Sequence, residues 1–571
     1  MNIFVGISLI ILLVLLIQNK IKPAFLFFGL LLLYYFLDLI KLDKMLSGFI
    51  NSSLITLLLL LIISIVFEKT FFITTISNKL FSKSYTKSLL KLSFFTSISS
   101  AFLNNTAVVA SMMSVVKQNK FHSPSKLLLP LSFAAIFGGT ITLIGTSTNL
   151  LINSFMIENN LTPLKIFDFI YVGIPIAFIG AFVLLFISRF LPDIKSEKEI
   201  ENYFLEVKVL KSSKLIGKSI LENKLRTLEY LFLSEILRND KIISPVNPNE
   251  IIYENDILLF SGDIKHIEIL KNFDGLELEH INQKVNKNII EVILSHESTL
   301  INKTIKDTNF RTKFNASVIA IKRGNQQLSG KISEIELQAG DNIILAVGED
   351  FNKRDNIGKN FYIISSIGLE KKLDKNSSLI VLFSFLAVLM CSFFEIIPLV
   401  KGLFFLLAMF IGFKFITINE IQRRFPYELM LIIGSALGIA YVMLSSGIAD
   451  YLASELGSLF GSYGVVGAFI SIYLFTFLLT EIITNNAAAA LSFPIAYSTA
   501  IAFDSSILPF VMAVAYGASA SFIMPYGYQT NLMVYSAGKY DMKTFLKSGT
   551  IVSIVYSILV LVLVPIFFPF K

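Results

Sequence analysis

Apolar residues in this chain gather into long stretches, and polar residues interrupt only a few of them. A membrane-crossing helix needs about 20 apolar residues. The pattern predicts such segments at roughly 3–18, 23–41, 52–67, 88–116, 127–157 and 166–190. It predicts them again at roughly 377–397, 399–417, 427–446, 460–503, 506–538 and 547–570. The residues after 446, with Asp450 and Glu455, read as a loop. Between 192 and 375 the pattern becomes short alternating runs among charged residues, as half-buried strands require. The expected fold class is an α-helical polytopic membrane protein with a soluble α/β insert between two membrane halves. The first run, Ile3–Ile17, has no basic stretch before it and no Ala-x-Ala site after it. It reads as a mature span rather than a cleaved leader.

Four of the apolar stretches hold helix-breaking polar residues near their middles. "NNTAVVA" (104–110) aligns with "TNNAAAA" (484–490) at an offset of 380, although 381 would match Asn104-Asn105 to Asn485-Asn486. "GTSTNLLI" (145–152) aligns with "GYQTNLMV" (527–534) at an offset of 382. Each half thus carries an Asn-rich motif followed by Gly-x-x-Thr-Asn. The expected halves are 1–191, with a hairpin at about 88–116, and 376–571, with a hairpin at about 460–503.

The insert repeats as well. "LEVKVLKSSKLIGKSILENKLR" (205–226) aligns with "IEVILSHESTLINKTIKDTNFR" (290–311) at an offset of 85. Arg226 matches Arg311, Arg238 matches Arg323 and Asp256 matches Asp341 at the same offset. Two small domains follow, at 200–278 and 285–360, each opening on strands and closing on a strand and turn.

Charge sets the orientation. Basic residues flank the insert (Arg189, Lys195, Lys198; Lys371, Lys372, Lys375) and fill alternate loops, among them Lys20, Lys22, Lys79, Lys83 and Lys87. Further on, Lys117, Lys120 and Lys126 share one loop, Arg423 and Arg424 another, and Lys539, Lys543 and Lys547 a third. The positive-inside rule makes the insert, 192–375, cytoplasmic when both hairpins enter the membrane and return. One hairpin then opens inward and the other outward, which makes the halves an inverted repeat. The composition agrees: 54% hydrophobic, 16% charged and a mean hydropathy of +0.70. The net charge of +8 fits such a lysine excess better than a nucleic-acid partner. A multi-pass protein of the cell inner (plasma) membrane is expected, in contact with lipid.

One cysteine, Cys391, excludes an internal disulfide, and four histidines (His122, His266, His280, His296) lie outside the apolar runs without metal-ligand spacing. No phosphate-binding loop or nucleophile–base constellation appears, so neither an enzyme nor an ATP-driven pump is expected. Glu481 reads as a hydrogen-bond acceptor for the hairpin backbone, with a proton carrier as the second reading. Around the four motifs no charged side chain lies between Lys91 and Lys117, Lys126 and Glu158, Glu481 and Asp504, or Asp504 and Lys539. Unpaired polar groups in hydrocarbon cost several kcal/mol. Broken helices persist there where they line a cavity or are buried in protein. Helix N-termini in such breaks attract anions, and unwound carbonyls coordinate sodium. An anion can therefore bind without Lys or Arg if cations bind beside it.

The motif quartet resembles the divalent anion/sodium symporter family of the ion transporter superfamily. That family has a Ser-Asn-Thr triplet at each of two hairpin tips. The matching triplets are Asn104-Asn105-Thr106 and Thr484-Asn485-Asn486. The resemblance implies a substrate site built from these six residues with Ser147 and Gln529. It implies sodium sites at Asn105, Gly145, Thr146 and Asn149, and at Asn485, Gly527, Thr530 and Asn531. The family's dicarboxylate members commonly have Thr-Pro-Pro-Asn in the break, where this chain has Ser147-Thr148 and Gln529-Thr530 ahead of the Asn. The insert resembles paired C-terminal domains of the TrkA type, the regulator of potassium conductance. Relatives carrying such a pair look like the sulfate branch.

The resemblance implies sodium-coupled symport of sulfate or a related divalent anion by a homodimer with an elevator-type motion. Na⁺ is the coupling ion, with proton coupling as its rival, and no other cofactor is implied. The alternatives are a dicarboxylate symporter and a membrane sensor or channel subunit. The paired domains are either a structural dimerisation module or the site of a small-molecule regulator.

Overall fold

The computed structural model describes residues 2–18, 21–70, 80–194, 204–225, 228, 231–239, 241–243, 246–262, 270, 273–279, 289–295, 298–324, 326–328, 332–348, 351, 354, 357–363, 373–460 and 463–571. Lys20, Lys79, Lys195, Lys198, Arg226, His266, His280, His296, Lys371 and Lys372 lie outside them.

The first half comprises α1 (Asn2–Gln18), α2 (Pro23–Phe36), α3 (Leu42–Ser47), α4 (Ser52–Glu68), α5 (Tyr85–Ser100), α6 (Asn105–Gln118), α7 (Pro124–Gly139), α8 (Ser147–Glu158) and α9 (Ile170–Ile187). The insert holds β1 (Phe204–Val209), β2 (Leu231–Arg238), β3 (Lys241–Ile243), β4 (Ile257–Gly262) and β5 (Leu276–Glu279). Next come β6 (Ile289–Leu294), the short α10 (Phe310–Phe314), β7 (Ala316–Arg323), β8 (Gln326–Gln327), β9 (Asn342–Val347), α11 (Ile357–Asn360) and β10 (Phe361–Ile363). The second half opens with α12 (Lys375–Phe393), α13 (Leu399–Gly412), α14 (Ile418–Arg424), α15 (Tyr427–Ser446) and α16 (Ile448–Phe460). It continues with α17 (Gly464–Ile482), α18 (Asn485–Ala502), α19 (Ile507–Ser519), α20 (Gln529–Ala537) and α21 (Met542–Phe567).

The order α1–α9 therefore recurs as α12–α21, with α16 as the one extra helix among the described residues. It occupies the stretch expected to be a loop. Gly447, at φ +77°, ends α15, and Ala449 and Ala453 make a small buried face four residues apart. With 13 residues, two of them acidic, α16 lacks the apolar length that marks a span.

Among the described residues, six helices are long and apolar enough to cross a membrane. The protein is a helical, polytopic membrane protein. The helix α9 shows why: it buries Val172, Ile176 and Leu184, yet exposes Ile174, Phe178, Phe182 and Phe186 on its other side. Such apolar faces are stable against lipid, not water. Arm lengths distinguish the hairpins. The arms of the first, α5 and α6, have 16 and 14 residues. The first arm of the second, α17, has 19 apolar-rich residues and could cross alone.

The helices sort into two packed groups. One contains the hairpins, the broken helices, α9 and α21; the other contains α1–α4 and α12–α16, with α8 and α18 running along the boundary. Tyrosines tie the hairpin group together, one within the first half and one across the two halves. Pro130 inside α7 has no N–H for the Lys126 carbonyl, and Tyr85 Oη donates to that oxygen instead (2.8 Å). Beside the same proline, Tyr540 Oη accepts from the Leu129 N–H (2.9 Å) and donates to the Ser125 carbonyl (2.5 Å). A tyrosine following α20 thus fills the opened turn of α7.

The insert forms two five-stranded sheets, ordered β3-β2-β4-β1-β5 and β8-β7-β9-β6-β10. The two orders are the same when the units are superposed strand for strand. Even the irregularity repeats: β2 bulges between Leu233 and Glu235, and β7 between Val318 and Ala320, 85 residues on. The last strand, β10, continues the second sheet past residue 360 by pairing with β6. Arg238 grips Asp256 through two 2.8 Å bonds, and Arg323 grips Asp341 in the same way. Both aspartates are buried and also accept a backbone N–H, from Tyr253 and Gln338.

Charge-assisted bonds of this kind contribute about 1.5–3 kcal/mol each. Asp341→Asn keeps the size and removes the charge. It lowers the stability of the second unit by about 2 kcal/mol. Thermal unfolding of the purified protein reads this as a lower midpoint for the insert, and an unchanged midpoint contradicts the role.

Candidate functional site

The two hairpin turns and the two helix breaks are built alike. At the first turn, the Asn104 side chain accepts from the Thr106 N–H (2.8 Å) and so caps α6. Asn105 is the first helical residue and is buried. Its Oδ1 accepts from Ser100 Oγ. At the second turn, Asn485 opens α18, is buried, and accepts from Thr480 Oγ1 (3.1 Å). Each asparagine thus bonds a hydroxyl five residues earlier. This equivalence selects the offset of 380 and pairs Asn105 with Asn485. Thr484 precedes α18 and makes no capping bond with its side chain.

The breaks lie at 140–146, between α7 and α8, and at 520–528, between α19 and α20. Asn149 Nδ2 donates to the Thr142 carbonyl (3.0 Å), and Asn531 Nδ2 donates to the Ser521 carbonyl (2.8 Å). These amides hold the unwound backbone in place. Asn531 Oδ1 and Thr530 Oγ1 also lie 2.7 and 2.8 Å from Ser132 Oγ on α7. Glycine is required where each break folds back on itself. A methyl on Gly145 would lie 2.6 Å from the Gly139 carbonyl oxygen, and one on Gly527 would lie 2.3 Å from Ser521 Oγ and 3.1 Å from the Thr480 carbonyl. Gly139 in turn lies against the Asn105 amide.

Each turn also reaches across to the other half. Thr106 Oγ1 donates to Gln529 Oε1 (3.0 Å), and Ser147 Oγ donates to Asn486 Oδ1 (3.1 Å). Thr106 matches Asn486 and Ser147 matches Gln529, so the two bonds are counterparts. The first turns of α6 and α20 meet in one pair, and those of α8 and α18 in the other. Four helix N-termini therefore converge, each equivalent to roughly half a positive charge. No charged side chain lies in these segments.

The match between the halves is broken in two places. Tyr528 lies in the second break, yet its hydroxyl accepts from Asn105 Nδ2 in the first turn (2.6 Å). The matching residue in the first break is Thr146. As a result the Asn105 amide is occupied, whereas Asn485 Nδ2 is buried with no hydrogen-bond partner among the described residues. Thr148 Oγ1, in the first turn of α8, and Ser521 Oγ, in the second break, are also buried without a described partner. The second departure is Glu481. Its carboxylate accepts from the N–H groups of Phe522, Ile523 and Met524 (2.9, 2.9 and 2.8 Å). It therefore holds the backbone of the second break, not that of the hairpin. The matching residue in the first turn is Ala101, and the first break is tied by Leu143 N–H to the Ile166 carbonyl instead (2.9 Å).

A small pocket adjoins the first turn. Leu57, Leu60 and Ser64 of α4 form one wall, and Asn104, Thr146 and Ser147 form the polar end. The structure thus brings Asn105, Thr106, Ser147, Asn485, Asn486 and Gln529 to one locus, with Gly145, Thr146, Asn149, Gly527, Thr530 and Asn531 shaping it. Sequence reasoning missed Ser100, Ser132, Thr148, Thr480, Ser521 and Tyr528. The signal for Ser100 and Thr480 was present: both are hydroxyl residues five positions before a paired Asn. Tyr528 gave none, because nothing in a sequence shows a side chain crossing between halves. Among the described residues no group of His, Cys, Asp and Glu could hold a metal ion.

Residues 11–515 match the citrate transporter family. The chain is 29% identical over 552 residues to an uncharacterized transporter of Synechocystis, covering 91% of this chain and 90% of that protein. It is 27% identical over 368 residues to sodium/sulfate cotransporter 1 of Chlamydomonas reinhardtii, covering 60% of this chain and 41% of that longer protein. It is also 29% identical over 148 residues to a sodium-dependent dicarboxylate transporter of Staphylococcus saprophyticus, covering 26% of this chain and 28% of that protein.

Glu481→Leu leaves three backbone N–H groups without their acceptor, at about 1–3 kcal/mol each. The substitution lowers the thermal midpoint of the purified protein well below that of Glu481→Gln, which keeps a carbonyl acceptor. Equal midpoints for the two variants and the unaltered protein contradict this account of the second break.

Proposed function

The chain belongs to the citrate transporter family, and on that premise we propose that it is a secondary transporter coupling the uptake of a divalent inorganic anion, sulfate, to sodium. The observation that carries the reading is the convergence of four helix N-termini through two matching bonds, Thr106–Gln529 and Ser147–Asn486. Four termini of roughly half a charge each offset about two negative charges. That matches a doubly charged anion without Lys or Arg. The amide of Asn485, buried and unpartnered among the described residues, is a donor suited to an anion oxygen.

Sodium adds the remaining positive charge. Its candidate ligands are oxygens of the turns and breaks. In one half these are Asn105, Gly145, Thr146 and Asn149, with Thr148 Oγ1 added by its burial without a described partner. In the other half they are Asn485, Gly527, Thr530 and Asn531, with Ser521 Oγ added for the same reason. Asn104, Asn105, Thr106, Ser147, Thr484, Asn485, Asn486 and Gln529 surround the anion position. The name of the Chlamydomonas relative supports sodium and sulfate. The shorter match to a dicarboxylate transporter makes a C4 dicarboxylate the second candidate.

The two helix groups support a motion in which the hairpin group slides against α1–α4 and α12–α16, within a homodimer. The charge distribution supports an inner (plasma) membrane location with the insert cytoplasmic. The insert's two units are of the TrkA C-terminal kind in this reading.

Purified protein in proteoliposomes takes up labelled sulfate saturably, and only with an inward sodium gradient. Excess unlabelled thiosulfate competes, whereas succinate does not. Asn105→Ala and Asn485→Ala each reduce uptake at least about tenfold, as loss of a hydrogen bond to a charged ligand implies. Sodium-independent uptake, or succinate displacing sulfate, overturns the assignment. Unchanged uptake and sodium dependence in both variants removes the site from it.

A further inference from the structure

The second insert unit touches the two helices whose N-termini meet at the site. Strand β6 lies against α20, and β10 lies against α6. Glu291 on β6 pairs with Lys117, in the last turn of α6, at 2.8 Å. Burial opposes the charge on Glu291, but Lys117 and the Asn342 amide hold its carboxyl below the ordinary value. Ile293 is buried in the same apolar cluster as the membrane helices, and Tyr362 packs against it.

The contact with α20 is closer still. A carbon added at Gly340 would lie 2.5 Å from Leu532, and one added at Gly324 would lie 2.8 Å from the Tyr535 ring. Both glycines have positive φ, +83° and +59°. Their counterparts in the first unit, 85 residues earlier, are Asn255 and Asn239, also at positive φ (65° and 48°). Asparagine therefore satisfies the backbone at these positions. The second unit has glycine where a side chain would strike α20, so the choice answers to the contact and not to the turn.

Each helix thus carries a site residue at its start and an insert contact further along. Thr106 and Lys117 are separated by about 17 Å along α6, at 1.5 Å per residue. On α20, Gln529 bonds Thr106, and Leu532 and Tyr535 meet the insert. A sheet resting on two adjacent helices fixes their spacing. The Thr106–Gln529 bond at the other end depends on that spacing.

We propose that the second insert unit sets the separation of α6 and α20 and thereby controls the ion affinity of the site, so that its release lowers transport. This rests on the sodium-coupled reading above. The coupling is reciprocal: whatever frees the unit weakens ion binding, and ion binding holds the unit in place.

The test uses the full-length chain, in which Cys391 is the one cysteine, replaced by serine. Lys117→Cys and Glu291→Cys are joined by a short bis-maleimide as the measure of docking. Gly324→Asn/Gly340→Asn, which gives the second unit the residues of the first, should abolish the cross-link. With the native pair intact, the same double variant raises the sodium concentration for half-maximal sulfate uptake at least about fivefold. Glu291→Lys should do likewise, and Lys117→Glu/Glu291→Lys should restore the original value. Loss of the cross-link with unchanged sodium dependence overturns the proposal, as does an unaltered cross-link in the asparagine variant. Sodium-independent uptake by the unaltered protein is a different result: it overturns the functional reading on which the proposal stands.

Discussion

The structure depends on bringing four helix N-termini together inside an apolar protein without a charged side chain among them. Like partial charges repel, and each terminus leaves backbone N–H groups unsatisfied. The Thr106–Gln529 and Ser147–Asn486 bonds hold the termini in pairs, and Asn149 and Asn531 tie down the unwound backbone that leads to two of them. Everything else follows from keeping that locus intact. Each break must fold back closely on itself, which demands Gly145 against Gly139 and Gly527 against Ser521. The hairpin group must be bound across both halves, which Tyr540, Ser132 and Tyr528 accomplish. What balances the repulsion is negative charge, and in the proposed function the anion supplies it.

Much of this was legible in the residues. Polar side chains stand out in long apolar runs because hydrocarbon penalises them, so the turns and breaks announced themselves, and their recurrence at offsets of 380 and 382 paired them. The insert's repeat was equally visible, because Arg238–Asp256 and Arg323–Asp341 are strong local pairs at equal spacing. Contacts between distant segments were not legible. Tyr528 reaching Asn105 and Ser132 reaching Thr530 are products of the way the halves interlock, and tyrosine and serine occur in membrane helices for many reasons. Glu481 was recognised as a backbone acceptor, but its partner is the break, 41 residues on, not its own hairpin. The helix α16 was missed because its pattern is too short and too polar to resemble a span.

Asymmetry between the halves is the feature with most consequence for function. The first site has a tyrosine hydroxyl from the other half, and the second has a carboxylate behind its break. Asn105 is engaged, and Asn485 has a free donor among the described residues. In the proposed function, the two matching loci thus offer different surroundings to a cation. The insert adds a third inequality, since it grips α6 and α20 and so bears on one of the two matching bonds.

The central claim is that an uncharged site of helix ends binds a divalent anion only together with cations. Equilibrium binding of labelled sulfate to the purified protein, measured in sodium and in potassium at equal ionic strength, tests it most directly. The account predicts sulfate affinity that climbs steeply with sodium and is lost in potassium. Sulfate binding of equal strength in both salts would contradict it.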